Sequence, residues 1–88
     1  MCRNITELRG LEPAATREEI EAAAYQFVRK VSGITRPTGP VAAQMTEASL
    51  AIASITDALL AQLPARRVPP ATVPPLRRPD VRRRLGLE

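Results

Sequence analysis

Histidine and tryptophan are absent from this chain, and cysteine, tyrosine, phenylalanine and lysine each occur once among 88 residues. Without histidine, neither a Ser–His–Asp triad nor a Cys–His pair can be assembled. One cysteine cannot fill a zinc site or close a disulfide within the chain. No apolar run reaches the ~18 residues that a membrane-spanning helix needs, and the start lacks the basic-then-apolar layout of a signal peptide. The acid–base inventory is too thin to suggest catalysis. These absences lead us to expect a non-enzymatic protein of the reducing cytoplasm, with no cofactor, no bound metal, no small-molecule substrate and no membrane association.

What is present is unevenly spread. Residues 1–63 hold six basic and seven acidic side chains, a net charge of −1. Residues 64–88 hold seven arginines against Asp80 and Glu88, a net charge of +5. Six of the nine prolines fall in that last stretch. The sequence therefore predicts a helical domain over 1–63 and a basic tail over 64–88, extended and disordered unless bound.

Within the domain, Asn4 to Gly10 has the cap, the Glu7 and the terminal glycine of a short helix. Thr16-Arg17-Glu18-Glu19 is a capping box ahead of Ile20, Ala23, Ala24, Phe27 and Val31, which share one helical face. Glu18, Glu19 and Glu21 near its start and Arg29 and Lys30 near its end suit the helix dipole, and Gly33 stops it. A second helix is predicted from about Pro40 to Leu63, its stripe formed by Val41, Met45, Ala48, Ile52, Ile55, Leu59 and Leu63. Pro64 closes it. The fold class is thus all-α: a short N-terminal helix and an antiparallel two-helix hairpin, followed by the tail. Phe27 and Ile52 are expected to face the opposite helix. A core so poor in aromatics implies marginal stability, or support from a partner or a second copy.

The segment Leu11 to Ile20, through Ala23, to Phe27-Val28-Arg29-Lys30 resembles the first half of a J domain, the module of heat-shock cochaperones. Ile55-Thr56-Asp57-Ala58-Leu59-Leu60 is similar to the end of that module's next long helix. The resemblance implies a J-like fold. It does not imply cochaperone activity, because Ser32-Gly33-Ile34 stands where the family has His-Pro-Asp. The opening Met1-Cys2-Arg3-Asn4-Ile5, with Gln26 to Lys30 and Ser32-Gly33, also resembles a small uncharacterised bacterial family that begins Met-Cys-Arg-Asn-Ile. This second resemblance covers residues 1 to about 63 and implies a cytoplasmic bacterial protein of unknown function.

The strongest functional feature is the tail. Arg66-Arg67, Arg77-Arg78 and Arg82-Arg83-Arg84 are separated by Val-Pro-Pro spacers. A polyproline II segment from Val68 to Arg82 would reach roughly 45 Å. The planar arginine fork binds phosphate and carboxylate bidentately. Leu85, with Val81 and Leu87, would supply apolar anchors for a short helical turn formed on binding. The sequence points to an adaptor whose tail docks on a larger acidic assembly, either nucleic acid in a ribonucleoprotein or an acidic protein. Leu50 and Leu60, off the main stripe, suggest a second contact face or a homo-oligomer. Tyr25 and Arg29, one turn apart, are placed to stack. From a different class comes a thiol-dependent redox or metal-linked protein using Cys2 as an N-terminal nucleophile.

Overall fold

The computed structural model describes residues 5–64 and 74–86. Among these residues the protein is all-helical, with no strand. Helix α1 spans Arg17–Ser32, α2 spans Gly39–Gln62 and α3 spans Pro79–Leu85, with a 3₁₀ turn at Pro75–Arg77 ahead of α3. None of these helices is long and apolar enough to cross a membrane. The chain forms two compact units: Thr16–Pro64, and Met1–Ala15 together with Ala65–Glu88. The division differs from the expected 1–63 and 64–88 because the first fifteen residues group with the basic C-terminal segment.

Helix α1 begins where its capping box says it should. The Glu19 amide donates to Thr16 Oγ1 at 3.2 Å, and the Thr16 amide donates to Glu19 Oε1 at 2.9 Å. Two of the unpaired amides at the helix start are thereby satisfied. Gly33 ends the helix in the left-handed conformation, φ 72°, and its amide donates to the Arg29 carbonyl. That backbone geometry favours glycine because it lacks a Cβ. Helix α2 starts on Gly39-Pro40, with proline in the first turn, where its missing N–H leaves nothing unpaired.

The expected helix over Asn4–Gly10 is not found among the described residues. Ile5 to Leu8 are irregular and Arg9-Gly10 form a turn, with Gly10 at φ 85°. Cap signals alone do not produce a helix here, whereas the equally short α3 forms around the buried Val81. The C-terminal segment differs in the other direction, since the described part of the expected extended tail contains the 3₁₀ turn and α3. Pro79 at the start of α3 and Gly86 at its end, φ 73°, supply the start and stop.

In Thr16–Pro64, α1 and α2 pack together. The buried residues are Glu19, Ile20, Ala24 and Val28 from α1 and Met45, Ser49 and Ala53 from α2. Ala53 is completely buried. The Ser49 hydroxyl donates to the Met45 carbonyl at 2.7 Å, so its burial leaves no orphaned donor. Arg17, in the first turn of α1, reaches the distal part of α2. Its guanidinium donates to Ser54 Oγ at 2.9 Å and to Asp57 Oδ2 at 3.3 Å, and it pairs with Glu21 at 3.0 Å. The bond to Glu21, and then that to Asp57, hold Arg17 more firmly in its charged form than an isolated arginine.

The contact line on α2 is rotated from the expected stripe. Only Met45 of that stripe is buried and Ile52 is half-buried, while Val41, Ala48, Ile55, Leu59 and Leu63 are exposed. Phe27 on α1 is 44% exposed, so it does not fill the space between the helices as expected. Small residues at Ala24, Ser49 and Ala53 explain the shift, because they let two helices approach closely along a four-residue ridge. The apolar arc of α2 is also wider than one neighbouring helix can cover.

Candidate nucleic-acid interface

The unit formed by Met1–Ala15 and Ala65–Glu88 contains nine basic and four acidic residues, a net charge of +5. Its described interior includes Leu11, Pro74 and Val81. Val81, expected from the sequence to anchor a turn formed on binding, is instead buried within the chain's own fold. The arginines around it have different tasks. Arg77 Nη2 donates to the Pro13 carbonyl at 2.8 Å and to the Ala14 carbonyl at 3.3 Å. It ties the 3₁₀ turn to a segment more than sixty residues earlier in the chain. The peptide bond between Glu12 and Pro13 is cis. Arg82 Nη1 donates to the Leu76 carbonyl at 2.9 Å, closing α3 back onto the same turn.

The remaining site arginines follow from the helix register. Arg78 occupies the N-cap position of α3 without a side-chain cap bond and is half-buried, and Arg82 stands one turn further on and is exposed. Arg83 is exposed beside it, and Arg84 and Leu85 complete the helix. Asp80, in the first turn, is the single acid of α3. Five arginines therefore fall between positions 77 and 84, on a turn and a helix rather than on a free coil.

Sequence reasoning identified these arginines but not the use of Arg77 as a tie. Spacing within a short segment carries no information about carbonyls at Pro13 and Ala14. Arg66, Arg67 and Cys2 lie outside the described residues. Among the described residues, no group of three Cys, Asp or Glu side chains is gathered so as to hold a metal ion. Leu50 is exposed and Leu60 half-buried, and at ten residues apart they lie about 80° apart around α2 and about 15 Å apart along its axis. Tyr25 and Arg29 do meet, with the guanidinium carbon 5.9 Å from the ring centroid.

A family model matches residues 1–84. The chain belongs to the DUF2277 family of uncharacterized conserved proteins. No curated protein and no solved structure matches the chain. The DUF2277 match runs well beyond residue 63, where the resemblance seen in the sequence ended. It takes in the 3₁₀ turn and all of α3 but its last residue, Leu85. The arginines at 77, 78, 82, 83 and 84 are thus part of the family domain and not an appendage to it.

Proposed function

We propose that this protein is a non-enzymatic adaptor whose basic unit docks on the phosphate backbone of nucleic acid within a ribonucleoprotein. The observation that carries this reading is the concentration of five arginines over positions 77–84, opposed there by Asp80 alone and held on helical backbone. Holding the helix in place reduces the ordering cost that a flexible basic tail would meet on binding. Arg77 is committed to the Pro13 and Ala14 carbonyls and sets the position of the helix, while Arg83 faces solvent. Arg66 and Arg67 add charge from the same unit.

On this reading α1 and α2 form an antiparallel hairpin with J-like spacing, which the reach of Arg17 from the start of α1 to Ser54 and Asp57 supports. It serves as a scaffold in the bacterial cytoplasm. With Ser32-Gly33-Ile34 in place of the cochaperone tripeptide, it should not stimulate a chaperone ATPase.

Each arginine–phosphate contact releases a condensed counterion, so affinity falls linearly on a log–log salt plot. With about four contacts the slope for a labelled single-stranded RNA is near −3, and for duplex DNA nearer −4. No base preference is expected, since α3 is short and its arginines answer charge rather than a base pattern. Fluorescence anisotropy of several unrelated oligonucleotides across a salt series measures both. A flat salt response, or capture from lysate that survives nuclease and follows an acidic protein instead, would refute the nucleic-acid reading.

A further inference from the structure

Most of the large apolar residues that α1 leaves uncovered on α2 fall on one line, with Leu50 on the opposite side. Val41, Ala48, Ile52, Ile55 and Leu59 follow at steps of seven, four, three and four, the spacing of a coiled-coil seam. The packing of α1 engages only one flank of it. Ile52 is half-buried, but Ile55 is 73% and Leu59 52% exposed. On α1, Phe27 and Val31 are also exposed, Val31 at 68%. At about 100° per residue, both exposed sets are rotated in the same sense from the buried rows Ile20–Ala24–Val28 and Met45–Ser49–Ala53. In an antiparallel pair, an equal sense of rotation on both helices places them on the same side. The result is one apolar face across α1 and α2.

We infer that this face pairs with the same face of a second copy, so that two α1–α2 pairs close into a four-helix bundle. Charge argues for an identical occupant. The charged residues of α2 are Glu47 and Asp57, both more than a quarter turn from the seam, and Asp57 is engaged by Arg17. Two copies therefore oppose no like charges across α2, and the seam offers nothing for a charged partner to answer. Lys30 stands at the outer α1 edge, a rim position. Length argues the same way. Helix α2 has 24 residues against 16 in α1, so about 12 Å of it outruns its neighbour, while a second α2 matches it end to end. Covering the exposed side chains on two copies removes on the order of 1,000 Å², the lower bound for a specific interface. A small domain whose buried residues include no aromatic gains stability from such an association.

Sedimentation equilibrium of the full chain, without nucleic acid, tests this independently of the basic unit. The wild type should show a concentration-dependent dimer. Ile55→Glu should weaken it at least tenfold while circular dichroism stays helical, and the milder Ile55→Gln should weaken it less. Leu50→Glu, on the opposite side of α2, should leave dimerisation unchanged. If Ile55→Glu loses helicity, the Ile55→Gln comparison decides. A wild type that remains monomeric near millimolar concentration would overturn the inference, as would dissociation by Leu50→Glu equal to that by the Ile55 variants.

Discussion

Thr16–Pro64 carries four basic against five acidic residues, whereas Met1–Ala15 with Ala65–Glu88 carries nine against four. The first unit is built from two long helices whose buried residues include Ile20, Ala24 and Val28 on one and Met45, Ser49 and Ala53 on the other, with an arginine spanning them at the surface. The second is built from short elements stitched together by arginine–carbonyl hydrogen bonds. The difference teaches that arginine serves two ends in one small chain. Where apolar side chains are scarce, its fork replaces packing by bonding backbone carbonyls, as Arg77 and Arg82 do. Where it faces water, as at Arg83, the same group is available to phosphate.

The contrast can be broken by substitution, and the largest effect should come from the helical pair. Met45→Ala removes a buried side chain and should destabilise the protein by about 2–4 kcal/mol in urea unfolding. Leu50→Ala, on the exposed side of α2, should stay within about 0.5 kcal/mol of the wild type. Equal losses would mean that the contact line on α2 is misplaced.

In the basic unit the comparable residue is Val81. Val81→Ala should cost about 1–2 kcal/mol. Amide hydrogen exchange should report it in α3 more than in α1 or α2. Uniform acceleration through all three helices would show that the two units do not open separately.

A smaller effect belongs to the cap of α1. Thr16→Ala removes the hydroxyl that accepts from the Glu19 amide and should cost about 1 kcal/mol, with Thr16→Ser recovering most of it. Smallest of all is Arg17→Ala. The Glu21 and Asp57 contacts lie at the surface, where screening and side-chain entropy offset most of the attraction. Its thermal midpoint should barely move at physiological salt. A large drop would assign Arg17 a structural weight that surface ion pairs rarely have.

The capping box, Gly33 and the proline start of α2 were legible in the sequence because each acts over three or four residues. The rest depended on partners distant in the chain. Apolar periodicity identified a face on α2, but not which flank α1 would cover. The choice fell to Ala53 and Ser49, whose small size lets the helices approach. The missing helix at residues 5–10 shows the reverse limit, in which local cap signals are present but do not by themselves produce a helix. Seven arginines in the last 25 residues announced a charged surface. That Arg77 would be spent on Pro13 and Ala14 depended on a fold in which the two ends of the chain belong to one unit.

The proposed interface predicts that the position of the charge, and not its total, determines binding. Arg83→Glu and Arg36→Glu change the net charge equally, and both residues are exposed, one on α3 and the other in the connector between α1 and α2. Anisotropy titration of one labelled single-stranded RNA against both variants and the wild type measures the difference directly. Arg83→Glu should weaken binding and make the log–log salt slope shallower by about one. Arg36→Glu should leave the slope at its wild-type value and lower affinity only slightly, through the screened long-range field. Equal losses from the two variants would show that net charge alone attracts the RNA and would contradict the assignment of the interface to α3.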